Sequence, residues 1–391
     1  MKKYLFILAA AAALVACSKT ELVPAVTNDA ETEITYTVAP KVRADVKDFN
    51  TGWKFMSYAF YLGKDDEGNA QAWADKAASS EKYIDGAEIS YVSNSTESVW
   101  RHVGKKYYWP KNGQLTFFAW TNVREYRGVS GITYTFSSDD YIKGVTVDAT
   151  NGVKIADYDV TYVNPNTSVG NKNTDILVAD IKADQTKNLT NDYGNFGKTD
   201  NADRVDKRES RYTGVPTLFK HKLSKVYFTA KTDKDYETTD GIKFYVNSIV
   251  FKNIAKQGTY TQGVDATSCV GSWTTVANTD PQSYFSGNAG VAGTEVNSTV
   301  KDIFNIDSQY YYMPQTFGDD AIFVVTYSID YGNGVKEENL TQTCKLKANN
   351  LASFDISKFY TINLTFTLNE ILWDPAVEEW ETGTANVDIN K

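Results

Sequence analysis

Two histidines, three cysteines and three methionines in 391 residues leave little of the usual equipment of a catalyst. Histidine is the side chain that most often moves protons near neutral pH, yet His102 and His221 each sit in an aromatic or apolar stretch that reads as strand. There is no serine elbow ordered with a histidine and an acid, no phosphate-cradling glycine loop and no pair of cysteine doublets for zinc. Acidic pairs occur at Asp139-Asp140, Asp319-Asp320 and Glu378-Glu379, but nothing brings two of them to the fixed separation that glycoside hydrolysis needs. Asp233, Asp235 and Asp240 miss the calcium-loop spacing. No enzyme, cofactor or metal is expected. With Cys17 set aside, Cys269 and Cys344 can make one bridge at most, so the fold has no disulfide framework, and two buried thiols is the favoured reading. An excess of positive charge is missing too: 40 Lys and Arg stand against 49 Asp and Glu, a net −9. That balance argues against nucleic acid as a partner. Helical periodicity is scarce, and only residues 70–80 could form a short amphipathic helix.

What the chain does have is aromatic and β-branched side chains. Tyr, Phe and Trp make up 14% of it, and with Thr and Val they fit a pleated, half-buried surface. Its length allows two domains, each able to bury a sizeable core. The first residues have a separate logic: Lys2 and Lys3, an apolar run over 4–15, then Leu14-Val15-Ala16-Cys17. A basic start, a short apolar core and small residues before a cut read as an export signal, and the run is too short to span a bilayer. The cysteine directly after Ala16 resembles the lipobox of bacterial lipoproteins. That resemblance implies a diacylglyceryl group on Cys17 and removal of residues 1–16.

From Cys17 to about Asp29 the sequence is polar and without period, as a tether would be. Ile34, Tyr36 and Val38 then alternate with Glu33, Thr35 and Thr37, a strand signal of period two. Pro40 ends it, since proline cannot continue a central ladder. Further strands are expected at 53–62, 99–109, 115–120, 132–136, 153–163 and 175–179. Residues 164–211 turn polar apart from the apolar island 176–178, and 188–210 suit a long surface loop or an interdomain connection. Beyond them strands are expected at 218–230, 242–254, 269–276, 310–313, 322–329, 343–346 and 359–368. Many short strands and few helices predict an all-β chain of two tandem β-sandwich domains, of transthyretin-like or Greek-key type. The expected division is 1–16 signal, 17–43 tether and first strand, 44–212 first sandwich and 213–391 second sandwich.

Tyr107-Tyr108-Trp109-Pro110 with Leu115-Thr116-Phe117-Phe118-Ala119 is followed by Asp175-Ile176-Leu177-Val178-Ala179 and by Leu218-Phe219-Lys220-His221-Lys222-Leu223-Ser224-Lys225-Val226. Tyr312-Met313-Pro314-Gln315-Thr316 and Tyr360-Thr361-Ile362-Asn363-Leu364, running into Ile371, Val377 and Trp380, complete the set. In this order these segments resemble the fimbrillins, the lipoprotein-derived pilins of type V fimbriae. The resemblance implies a subunit that reaches the outer membrane through the lipid on Cys17 and is then cut by a trypsin-like protease. The matching step here is Arg43-Ala44, with Lys41 and Lys47 as competing basic sites. Cutting there would remove the first strand together with the lipid, and open a groove for a strand of a neighbouring subunit. In the C-terminal tail the apolar residues available as donor-strand anchors are Val377, Trp380, Val387 and Ile389. The other reading of that tail is a final hairpin that completes its own domain. The partners implied are other fimbrial subunits, in a fimbrium at the cell surface. From a different class, exposed tyrosines and tryptophans, the latter among Trp53, Trp73, Trp100, Trp120 and Trp273, would make the chain a glycan-binding surface lipoprotein.

Overall fold

A computed structural model describes residues 32–38, 49–94, 98–128, 131–163, 170–187, 214–267, 270–277, 279–287, 293–305 and 307–380. Cys17, Arg43, Ala44, Cys269, Val387 and Ile389 lie outside the described residues. The all-β expectation is met: the described chain is built from strands, with only the short helices Trp73–Lys76 and Tyr236–Asp240 and brief 3₁₀ turns between them.

The largest sheet begins with β1 (Tyr36–Val38), β2 (Lys54–Leu62), β3 (Glu81–Ser93), β4 (Ser98–His102) and β5 (Gln114–Gly128). It is completed by β6 (Gly131–Thr135), β9 (Thr174–Ala179), β10 (Lys182–Gln185), β11 (Val215–Thr217) and β12 (Phe219–His221). Its main path runs β11-β1-β4-β3-β2-β5-β9-β12, with β6 and β10 paired onto β5. Only Leu218 separates β11 from β12, and its carbonyl accepts the Asp180 N–H at 2.9 Å. The two ends of the path are therefore one continuous stretch of chain, and the sheet returns on itself as a ring.

Odd and even positions of the central strands face different cores. Phe55, Ala59, Leu115, Phe117, Leu177 and Ala179 turn into the ring, where they pack with Ile34, Tyr36 and Trp100. Phe60, Leu62, Phe118, Trp120, Ile176 and Val178 turn outward into a second core that extends through the rest of the molecule. Burial on both faces explains why 53–62, 115–120 and 176–178 read as continuous apolar runs instead of alternating ones.

The outer face of the ring is covered by a four-stranded sheet in the order β16-β15-β8-β7: β7 (Val145–Asp148), β8 (Gly152–Asp159), β15 (Gln257–Thr261) and β16 (Ser272–Val276). Two five-stranded sheets complete the rest. One joins β13 (Ser224–Thr232), β19 (Lys301–Asp302), β20 (Tyr311–Tyr312), β25 (Lys358–Phe366) and β26 (Ile371–Glu379). The other joins β14 (Lys243–Lys252), β17 (Gln282–Ser286), β18 (Thr294–Val296), β22 (Ile322–Asp330) and β23 (Lys336–Lys345). Phe228, Phe251 and Phe323 meet between them at tilted or edge-on ring angles. A two-stranded piece pairs β21 (Gln315–Thr316) with β24 (Ser353–Phe354). Hydrogen bonds thus cross the expected boundary at 212 in two places: β11 and β12 complete the ring, and β15 pairs with β8.

Buried charge also joins ring and C-terminal sheets. Lys225 on β13 lies 2.6 Å from the Glu125 carboxylate on β5, both buried away from solvent. The hydroxyls of Tyr227 and Tyr311 donate to the same carboxylate at 2.7 and 2.5 Å, and Lys225 also donates to the Tyr134 hydroxyl at 3.2 Å. Burial works against the charged Glu125, yet the ammonium and the two phenols outweigh it and hold the carboxyl below its usual range. Beside this pair, Arg127 binds Asp302 and stacks over Tyr227 and Phe304 at 4.2 and 4.4 Å. Removing one partner of a buried pair leaves the other charge uncompensated. Lys225→Met should therefore cost about 3–5 kcal/mol in urea unfolding, and adding Glu125→Leu should recover much of that. A single variant as stable as the parent would contradict this role for the pair.

Candidate functional site: the first strand and its socket

One of the three-residue strands of the ring path, β1, carries the most consequential contacts. Alternation at period two turns Ile34, Tyr36 and Val38 inward, where each is at least nine-tenths buried, and leaves Thr35 and Thr37 on the other face. β1 runs parallel to β11 through three residue pairs and antiparallel to β4 through one, Tyr36 with Trp100. Just before it, Ile34 N–H donates to the Tyr107 carbonyl at 2.8 Å and Trp109 N–H to the Thr32 carbonyl at 3.0 Å. Glu33 is held by Lys106 at 2.9 Å, with Arg101 at 4.0 Å.

On the β11 side, Val215 N–H donates to the Thr35 carbonyl at 2.8 Å. Gly214 precedes this bond with a φ of +104°, and a Cβ there would meet the backbone of Thr35 and Tyr36 at 2.8–2.9 Å. A side chain at that position is excluded by strain and by space together.

Tyr36 is the centre of the socket. Its ring meets Phe55, Phe117 and His102 edge-on, at centroid distances of 5.6, 6.0 and 5.3 Å. The Ser57 hydroxyl donates to the Tyr36 hydroxyl at 2.9 Å, and the latter lies 3.1 Å from Nε2 of His102. Ser57 is fully buried and His102 nearly so. A relay of three polar groups thereby runs through an aromatic core, with Nδ1 of His102 left without a hydrogen-bond partner. Burial pushes the His102 imidazole down to about 4, against the opposing pull of the Glu33 carboxylate. The sequence points to strands at Tyr36 and His102 but not to this meeting. Its one signal is Ser57, a polar residue at an inward position of the mostly apolar 53–62 run.

Of the expected tail anchors, Val377 and Trp380 are in the structure, and both belong to a hairpin of their own chain. β26 pairs antiparallel with β25 over nine residues, from Ile371 to Glu379. Val377 is half exposed on it. Trp380 lies flat on the His221 ring, centroids 3.7 Å apart at 8°, and stacks on Tyr311 at 5.2 Å. His221 in turn sits 2.6 Å from the buried Asp175 carboxylate, whose pKa burial raises. Cys344 is a buried free thiol, pushed up to about 11 by burial. Trp53, Trp73, Trp100 and Trp120 are all buried, and Trp273 is partly buried with its indole N–H donating to the Lys222 carbonyl at 2.5 Å. These five tryptophans pack in the protein's own interior. Among the described residues, no group of three or more His, Cys, Asp and Glu side chains gathers as a metal site.

The sequence matches the fimbrillin-like family over residues 43–380. The chain belongs to that family. Membership makes this fimbrillin-like protein a structural or adhesion subunit of cell-surface fimbriae that assembles with other fimbrial subunits, not an enzyme. Among solved structures, a fimbrial protein from Bacteroides vulgatus superimposes with a TM-score of 0.52 at 15% identity, covering 89% of this chain and 99% of that one, and shows the shared fold. The tip fimbrial protein Mfa3 from Porphyromonas gingivalis is also similar, with a TM-score of 0.35, 10% identity and coverage of 89% and 100%. No curated protein matches the chain.

The socket sets a pH dependence for the fimbrillin-like fold. An imidazole near 6.5 when solvated and near 4 in the socket takes up a proton when the strand is lost. Across that window the open state binds more protons, so the contribution is present above about pH 6.5 and is lost as pH falls toward 4. Urea midpoints should fall between pH 7 and 4.5, and His102→Gln should flatten that part of the slope. An identical slope in the variant would remove His102 from the account.

Proposed function

We propose that this protein is a fimbrial subunit exported as a lipoprotein, held at the outer membrane by lipid on Cys17 and released for assembly by a trypsin-like cut after Arg43. The cut frees β1 and the lipid together, and a strand from a neighbouring subunit takes the vacated place in the ring. The body that polymerises is the chain after Arg43, in which β11, β12 and β15 cross the boundary expected at 212.

The observation that carries this reading is the placement of β1. Among the described residues, these three in the interior of the sheet path are the only strand contributed by the chain before Arg43. Both ends of the connection that holds Arg43 are pinned in the ring core, by Val38 on one side and by Phe49 on the other, the latter stacked on Phe219 at 4.8 Å. A cut between them separates β1 covalently while leaving the rest of the ring intact. The family match also begins at residue 43, so the shared body excludes the first strand. Removing β1 would leave the facing edges of β4 and β11 unpaired and a strip of core uncovered, and an added strand restores both. In its own tail the chain offers Val387 and Ile389 at strand spacing, beyond the hairpin that holds Val377 and Trp380.

Limited trypsin treatment of the purified precursor should cut between Val38 and Phe49 and yield ladders on a gel. Replacing Lys41, Arg43 and Lys47 together by alanine leaves trypsin no basic residue between Val38 and Phe49 and should abolish the ladders. Fibres from the triple variant would sink the proteolytic trigger. Deleting residues 387–391 separates the donor role: unchanged polymerisation would remove the tail from the mechanism.

A further inference from the structure

The socket that holds Tyr36 is demanding in a way that a plain apolar groove is not. Ser57 and His102 present two polar groups inside a cage of Phe55, Phe117 and Trp100, and the tyrosine hydroxyl engages both. An occupant that fills the cage without a hydroxyl at that depth leaves buried hydrogen-bonding groups unmet, which costs more than the bond itself contributes. A smaller occupant also leaves a void lined by aromatic rings. Threonine does not answer the need, since its hydroxyl sits close to the backbone and cannot reach where the tyrosine hydroxyl lies.

The segment offered as donor under the strand-exchange reading has no such residue. Residues 381–391 contain no aromatic side chain, and the apolar set at strand spacing is Ala385, Val387 and Ile389. Laid along β1 in the same direction, that set brings Val387 to the position of Tyr36.

Resting on the strand-exchange reading, we propose that the vacated socket selects a strand with tyrosine at its central inward position and branched aliphatics two residues to either side. It therefore takes a tyrosine-bearing strand of another fimbrial subunit in preference to residues 384–391 of a second copy of this chain. Ser57 and His102 are the groups that set the selection, and the aliphatic flanks match the places of Ile34 and Val38.

Peptide exchange on the full precursor cut after Arg43 tests this without altering the protein. Three synthetic peptides compete with a fluorescent copy of residues 32–38: the unlabelled 32–38 sequence, the same with Tyr36→Phe, and residues 384–391. The tyrosine peptide should bind most tightly, the phenylalanine version roughly ten-fold or more weakly, and the tail peptide more weakly again. In Ser57→Ala protein the gap between tyrosine and phenylalanine should narrow, which a purely steric preference would not produce. Equal binding of the first two peptides, or a tail peptide as tight as the tyrosine one, overturns the selection while leaving strand exchange standing. If the labelled peptide itself fails to enter the cut protein, the strand-exchange reading fails and the selection with it.

Discussion

A β-sheet has two edges, and each unpaired edge is a row of unmet donors and acceptors that invites another chain. Here the edges are reconciled by the seven residues 215–221, whose first half pairs with β1 and whose second half pairs with β9. Everything else in the ring hangs on that closure. It places the side chains of β2, β5 and β9 in two cores at once, and it makes β1 an interior strand although it is only three residues long. An interior strand so short owes its place less to its ladder than to its three inward side chains, and of these Tyr36 contributes both ring area and a hydroxyl.

The second constraint is electrostatic. A buried lysine and a buried glutamate stay charged only because each satisfies the other and two phenols complete the carboxylate. Their elements, β5 and β13, belong to the ring and to the C-terminal sheets. The pair therefore fixes how the two meet more strictly than apolar contact would, since a shift that separates the charges is far more costly than one that slides methyl groups. Trp380, stacked over His221 beside this cluster, closes the same region and brings the end of β26 to a fixed point.

Much of the fold is legible in the sequence, and for identifiable reasons. Ile34, Tyr36 and Val38 alternate cleanly because only one of their faces is buried, and 53–62 reads as a solid apolar run because both of its faces are. β3 is hidden because Asp85 and Gly86 interrupt its alternation at the irregular pairing with β2. Most of β23 is hidden because Lys336, Glu337 and Glu338 make it look like a solvated loop, although it is an edge strand paired to β22. The site is less legible than the fold. Tyr36, Ser57 and His102 lie on three strands far apart in sequence, and no local pattern reports that three polar groups will converge. Glu125 and Lys225 share that fate: Glu125 falls outside the strands expected from the sequence, and Lys225 passes for an ordinary strand charge.

The tyrosine hydroxyl also alters what short length means for β1. Held by its ladder alone, a three-residue strand would exchange with almost any extended segment of suitable apolar character, and subunits would join without order. A buried hydroxyl relay reverses this, because a wrong strand leaves Ser57 and His102 unpaired in an aromatic core where no water competes for them. Weak backbone pairing makes the strand replaceable, and the strict polar requirement makes the replacement selective. The two properties do not conflict: the first belongs to the few hydrogen bonds along β1, and the second to the single side chain at its centre.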